Sequence, residues 1–373
     1  MVAVMKLANN FIGAFSDGAV LFPLIMMLSL QNGMNLSFLL LGSGLAYIVA
    51  GYVFGVPMSV QPLKSIAIAG IAVGASAIEI RASAIILGLI FVLSLLFDLE
   101  SYAKKVPERL ILGIQAGLGL ILVQQGLKYV LSSGVEYIFL AAAIVAIMLF
   151  LTYKYQYPVL GITASVGFFG SVVFLSKGGA QIQSAVFESE SVRPLLIVSL
   201  ILPQIILTAA NSVLATVNVS QRYFAERAER VTVRRLVCMI GFGNVLSGVF
   251  GGLPFCHGSG GITAHYNGGA RTNMSNYFIG LILLAAALAV SIFGSAQIVF
   301  PFFLLSVLLM TVGFMHISLA IPSWNHSKAT KVQLVFMALA ALTSGNMLWV
   351  LGVGILCEFL NKWAIFAFRR RAA

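Results

Sequence analysis

The chain has 373 residues, of which 60% are hydrophobic and only 9% are charged. Because an ordinary soluble domain carries about 25% charged residues, this composition excludes a water-soluble fold. The net charge of +11 lies mostly in short loops between apolar runs and near the C-terminus. It therefore indicates the cytoplasmic Lys and Arg excess of a membrane protein rather than a nucleic-acid-binding surface. We expect a single all-α, polytopic membrane domain over residues 1–373, without a C-terminal cytoplasmic regulatory domain.

Apolar runs long enough to cross about 30 Å of hydrocarbon recur along the whole chain. They predict about fourteen spans, or twelve if the shortest ones merge. The approximate limits are 9–30, 36–52, 53–77, 82–97, 109–128, 135–152, 158–176, 195–218, 234–249, 250–267, 275–294, 297–320, 331–344 and 346–367. The spans 53–77 and 250–267 are interrupted by Gly and Pro, so we expect each to be a short extended piece followed by a half-helix.

The distribution of positive charge predicts the orientation of the chain. With the N-terminus in the cytoplasm, 17 of the 22 Lys and Arg residues fall on the cytoplasmic side and Lys64 falls inside the membrane. The opposite side holds only Arg81, Lys128, Lys177 and Arg193. This asymmetry favours an even number of spans with both termini in the cytoplasm, as in a bacterial inner membrane protein.

The two interrupted spans share a pattern that predicts an inverted repeat. Each begins Gly-apolar-Pro, at Gly55 and at Gly252, and each then enters an apolar run. Each is the third of seven spans in its half, so we expect repeats over about 7–180 and 190–368 with opposite orientations. The extended pieces are expected to pair with each other, and Pro62 is expected to lie in the first turn of its half-helix.

Two half-helix N-termini that face each other would bind an anion, because each offers unpaired amide groups and a partial positive charge. Lys64 would add a full positive charge. The compact set of donors favours a tetrahedral dianion over a nucleobase. The predicted substrate-binding residues are Gln61, Lys64, Ser65, Thr208, Asn211, His257, Gly258, Ser259 and Gly260.

Other polar residues have simpler interpretations. Asp17 is either the site of a coupling proton or a partner of Lys64. Cys256, His257 and His265 do not match a zinc-binding pattern, so no metal or other cofactor is expected. We expect Glu79 and Arg81 to form a solvated pair at the membrane rim. Glu358 is expected to pair with Lys362.

Several motifs resemble the molybdate transporter family of plants and bacteria and its sulfate-permease relatives. These motifs are Pro57–Ser65, Gly251–Arg271, Leu202–Val213 and the pairs Asp17-Gly18 and Phe22-Pro23. The resemblance implies a uracil-permease-like or sulfate-permease-like fold, with seven plus seven spans divided into core and gate parts. It also implies oxyanion uptake. Gly18-Ala19-Val20 and Asn267-Gly268-Gly269 depart from the family pattern.

The sequence therefore predicts a secondary active transporter of molybdate or a related oxyanion, coupled to protons. Sulfate or general oxyanion transport and an anion channel of the same fold are the alternatives. A nucleobase permease and an intramembrane enzyme fit less well, because the expected carboxylates and an oriented nucleophile are missing. The expected partners are the oxyanion, protons and membrane lipid, with a homodimer as a possible assembly and no nucleic acid.

Overall fold

The computed structural model describes residues 2–155, 159–173, 192–293, 302–322 and 327–372. Lys177, the junction between the predicted repeats and some predicted span ends lie outside these residues. The first predicted span consists of two helices, α1 (Val2–Phe15) and α2 (Gly18–Asn32), which meet at a bend of 41°. The bend places Ser16 and Asp17 between two helix ends rather than inside a continuous helix.

Helices account for nearly all of the remaining described chain. They are α3 (Leu36–Phe54), α4 (Gly70–Ala72), α5 (Ala77–Ser94), α6 (Leu99–Ala103), α7 (Glu108–Ser133), α8 (Tyr137–Tyr155), α9 (Val159–Val173), α10 (Pro194–Leu207), α11 (Ala215–Phe224), α12 (Val233–Phe250), α13 (Ser259–Asn267), α14 (Met274–Phe293), α15 (Phe302–Ser318), α16 (Lys328–Ser344) and α17 (Met347–Ala372). Two π-helical turns, Ser65–Ala69 and Thr208–Leu214, precede α4 and α11, and a 3₁₀ turn, Ala225–Ala228, follows α11. Within the described ranges, seven helical segments are long and apolar enough to span a bilayer, or eight with the bent α1–α2 pair. The predicted helical membrane architecture is confirmed, and the count of fourteen spans stays a prediction.

The two interrupted spans meet through a short antiparallel ladder. Strand β1 (Gln61–Pro62) pairs with strand β2 (Phe255–Cys256), so the predicted pairing of the extended pieces is confirmed. The prediction for Pro62 was wrong, because this residue lies in the strand and the helical turns begin at Ser65. The amide of Leu63 still donates to the carbonyl of Pro254 at 2.9 Å, which extends the pairing beyond the proline.

Three helix pairs form the most extensive contacts in the described structure: α7 with α15, α3 with α14, and α5 with α12. Each pair crosses at two facing glycines. A Cβ atom on either glycine would lie only 2.5–3.2 Å from the carbonyl oxygen of the other. The facing glycines are Gly44 with Gly280, Gly88 with Gly241, and Gly119 with Gly313. Small residues at these positions let the backbones approach closely, which is how helices associate where lipid removes the hydrophobic driving force.

The pairing of α3 with α14 and of α5 with α12 is the one expected if a two-fold axis relates the two halves of the chain. If the halves are repeats, α3 corresponds to α12 and α5 corresponds to α14. The α3–α14 pair and the α5–α12 pair would then exchange under the two-fold rotation. The inverted repeat itself stays a prediction.

Two predicted ion pairs were wrong, because partners distant in sequence lie closer. Glu79 is 1% exposed and bonds Arg193, with Oε2 2.7 Å from Nη2. Arg81 instead donates to the carbonyls of Gly248 and Val249. The carboxylate of Glu358 receives hydrogen bonds from the guanidinium of Arg109 at 2.5 and 2.6 Å, which ties α17 to α7 instead of to Lys362.

Candidate functional site

A cavity of about 490 Å³ lies between two walls. The core wall is formed by the α1–α2 bend with the start of α2, by β1 and the nearby Lys64, by the π-helical turn Thr208–Leu214 and by α13. It contributes Ser16, Asp17, Ala19, Val20, Gln61, Lys64, Asn211, Ser259, Gly260, Thr263, Ala264 and Asn267. The gate wall is formed by α7, α8, α9 and α15. It contributes Leu112, Gln115, Thr152, Tyr153, Gly161, Val312, Met315, His316 and Leu319.

Six of the ten residues singled out by the sequence lie on this cavity. They are Asp17, Gln61, Lys64, Asn211, Ser259 and Gly260. The other four, Ser65, Thr208, His257 and Gly258, are not among the described residues that line it. The broken spans therefore meet at the cavity, but only part of each broken span faces it.

Ser65 and Thr208 are occupied by contacts with α10. The amide of Ser65 donates to Oε1 of Gln204 at 2.7 Å, and its hydroxyl donates to the carbonyl of Leu200 at 3.3 Å. Nε2 of the same Gln204 donates to the hydroxyl of Thr208 at 2.9 Å. Gln204 thus satisfies the amide of Ser65 at the first half-helix N-terminus, and the residue of this helix start that lines the cavity is Lys64.

His257 joins the two extended pieces. Its Nδ1 lies 2.6 Å from the carbonyl oxygen of Ser59, and its ring makes edge contacts with Phe54 and Phe255. The hydroxyl of Ser59 donates to the carbonyl of Gly258 at 2.7 Å. These contacts connect residues about two hundred positions apart and give His257 and Gly258 a structural role beside the cavity.

The second half-helix N-terminus is open to the cavity. Among the described residues, the amides of Ser259 and Gly260 have no hydrogen-bond acceptor. A Cβ atom added at Gly260 would meet nothing within 4 Å. The hydroxyl of Ser259 donates to Oδ1 of Asn211 at 2.8 Å, so the Nδ2 group of Asn211 remains as a donor. Exposed amides at a helix N-terminus favour a bound anion.

The ammonium group of Lys64 adds a positive charge to the same cavity. Within the described residues it forms no hydrogen bond and no ion pair, so the predicted direct pair with Asp17 is absent there. A cation without a partner at membrane depth is unfavourable. An anion in the cavity would remove this cost.

Asp17 is 2% exposed and lies on the core wall, in a polar cluster with Gln61, Tyr47 and His265. It accepts hydrogen bonds from Nε2 of Gln61 at 2.5 Å and from the hydroxyl of Tyr47 at 3.1 Å. Nε2 of His265 lies 3.9 Å from its Oδ2. Nδ1 of His265 lies 2.7 Å from the carbonyl oxygen of Gly13, and a carbonyl only accepts, so Nδ1 carries a hydrogen.

Sequence reasoning did not assign Tyr47, Gln115 or His316 to the site, and it considered His265 as a metal ligand. Tyr47 and His265 contact Asp17, whereas Gln115 and His316 line the gate wall. Polar side chains within apolar spans are a functional signal. That signal was present at these positions, but no local pattern linked Tyr47, Gln115 and His316 to the interrupted spans. His265 lies inside the second interrupted span but was compared with a zinc-binding pattern.

A sequence model of the family described as molybdate transporter of the MFS superfamily matches residues 9–122 and 196–315. Molybdate transporter 2 of Arabidopsis thaliana is 24% identical over 420 residues, which cover 95% of this chain and 88% of that protein. Molybdate transporter 1 of the same plant is 24% identical and covers 91% of this chain and 86% of its own length.

Solved structures show the same fold at low sequence identity. The transmembrane domain of the cyanobacterial bicarbonate transporter BicA superposes with a TM-score of 0.65 and 19% identity, over 94% of this chain and 97% of its own. The murine anion transporter Slc26a9 in its inward-facing state gives a TM-score of 0.66 and 13% identity, over 96% of this chain and 68% of its own. The fold is therefore that of the sulfate permeases, as predicted.

Proposed function

Because this chain belongs to the molybdate transporter family, we propose that it is a secondary active transporter of a tetrahedral oxyanion, with molybdate as the first substrate. The family and the fold make it a multi-pass membrane protein that transports an anion. The choice of molybdate, the site and the coupling ion are the proposed parts.

The observation that carries the proposal is the convergence of two positive groups on one cavity. The open N-terminus of α13 and the ammonium group of Lys64 both line it. Gly260 lets a ligand approach the backbone amides, because it places no side chain there. A small anion with several acceptor oxygens satisfies these donors, whereas an extended aromatic ligand would leave most of them unpaired.

Asp17 is the proposed site of the coupling proton. A dianion moves against an inside-negative potential, so its uptake requires a cotransported cation. Since Nδ1 of His265 carries a hydrogen, the lone pair of the neutral ring is on Nε2, which lies 3.9 Å from Oδ2 of Asp17. A proton on the carboxylate of Asp17 or on Nε2 of His265 removes the repulsion between these two acceptors. Tyr47, Lys64 and Cys256 are other titratable groups near this pair, and Tyr47 already donates to Asp17.

The test is calorimetric titration of the purified protein with molybdate, tungstate, sulfate and uracil. We expect at least a tenfold preference for molybdate and tungstate over sulfate, which is about 1.4 kcal/mol. Lys64→Ala should weaken binding, whereas Lys128→Ala, which removes an exposed lysine, should not. Equal binding of sulfate would make the protein a general oxyanion carrier, and binding of uracil alone would overturn the proposal.

A further inference from the structure

A second, much smaller cavity of about 10 Å³ adjoins the first. This is about the space that one water molecule needs. Four residues line both cavities: Lys64 and Asn211 from the core wall, and Gln115 and His316 from the gate wall. These four side chains, which we term the polar ring, surround the boundary between the two spaces.

Each member of the polar ring has an unused donor. Nδ1 of His316 is buried and has no hydrogen-bond partner among the described residues, and the residue is only 6% exposed. Gln115 is 9% exposed, and its side-chain amide likewise forms no hydrogen bond within that part of the chain. Asn211 uses its oxygen to accept from Ser259, which leaves its Nδ2 group as a donor.

Gln115 and His316 are buried, and Lys64 and Asn211 are partly buried. Unused donors at such positions are costly unless a ligand or water satisfies them. Three of them are neutral and Lys64 is positive. The ring includes no carboxylate, since Asp17 lines only the larger cavity. This set of donors fits an acceptor-rich anion better than a cation, and a tetrahedral oxyanion offers four acceptor oxygens to it.

We propose that the polar ring binds the oxyanion and that Gln115 and His316 provide the ligands from the gate wall. This inference rests on the proposed function and extends it. The N-terminus of α13 and Lys64 belong to the core wall, whereas Gln115 and His316 add ligands from the gate wall. An anion bound by both walls loses the ligands Gln115 and His316 when the core wall moves relative to the gate wall. The affinity of the protein for the anion therefore depends on its conformational state.

The experiment measures molybdate binding by calorimetry with the full-length protein and the variants His316→Ala and Gln115→Leu. We expect each variant to lower the affinity at least tenfold, because each removes a donor to a charged ligand. His316→Gln keeps a donor and should lose no more than about threefold. Gln124→Leu is the matched control, since Gln124 lies on the same helix and donates to the carbonyl of Leu342. A melting curve of each variant shows that it is folded.

The outcomes separate the two proposals. Suppose that Lys64→Ala weakens molybdate binding, whereas His316→Ala and Gln115→Leu are folded and bind molybdate as tightly as the wild type. The polar ring is then not the binding site. The anion then lies at α13 and Lys64 alone. An equal loss in Gln124→Leu would also overturn the inference, because the effect would not be specific to the ring. If the wild-type protein binds no oxyanion, the proposed function itself fails.

Discussion

The side chain of Asn276 on α14 holds both backbone polar groups of Met58 in the first extended piece. The amide of Met58 donates to Oδ1 at 2.9 Å, and Nδ2 donates to the carbonyl of Met58 at 2.7 Å. Asn244 on α12 forms the same two bonds with Phe255, at 2.8 and 2.7 Å. Non-helical backbone at membrane depth requires such partners, because lipid provides none.

Asn276→Ala is expected to destabilise the protein by about 2–6 kcal/mol. The substitution leaves two buried backbone groups unpaired, and each costs about 1–3 kcal/mol. Denaturant unfolding of the purified protein in detergent measures the change. Asn244→Ala should behave similarly, while Asn218→Ala, at an exposed position, should unfold like the wild type. A stability of Asn276→Ala equal to that of Asn218→Ala would show that other groups satisfy Met58.

Gly44→Ala is expected to weaken the packing of α3 against α14. The new methyl group would lie 2.8 Å from the carbonyl oxygen of Gly280 and 3.0 Å from Leu284, so the helices must separate. Overpacking of this kind costs about 1–3 kcal/mol. The melting temperature should fall, whereas Gly352→Ala, which meets nothing within 4 Å, should leave it unchanged. A fall of the same size in both variants would contradict the close approach.

Gly260→Ala is expected to impair anion binding without destabilising the fold. The methyl group has room, since nothing lies within 4 Å, but it stands over the open amides of α13. We expect about a tenfold loss of molybdate affinity, or about 1.4 kcal/mol, together with an unchanged melting temperature. Gly352→Ala again serves as the control. Wild-type affinity in Gly260→Ala would place the ligand away from this helix end.

Asp17→Asn is expected to uncouple transport from protons. The amide cannot take up a proton, so a pH gradient should no longer drive molybdate accumulation in proteoliposomes. Exchange of labelled for unlabelled molybdate should continue, because the donors on the cavity remain.

Glu108→Gln, which removes an exposed carboxylate at the start of α7, should accumulate molybdate like the wild type. Persistent proton-driven accumulation in Asp17→Asn would exclude this residue as the coupling site. If exchange is also lost, Asp17 is needed for the site itself, because it orients Gln61.

The sequence by itself determined the membrane class, the helical architecture and the two interrupted spans. These features follow from local properties: apolar length, Gly and Pro within a span, and the need of each extended piece for hydrogen-bond partners. The prediction that the extended pieces pair was confirmed for the same reason, since the β1–β2 ladder provides those partners.

Only the tertiary structure decided which donors face the cavity. Ser65 looked equivalent to Ser259 in sequence, but Gln204, which lies 139 positions away, satisfies the amide of Ser65. Likewise, Glu358 pairs with Arg109 across 249 positions. Local pattern sets backbone conformation, whereas the partner of a polar side chain depends on which distant helix packs beside it. That is why His316, 252 positions after Lys64, was identified only once α15 was placed against the core wall.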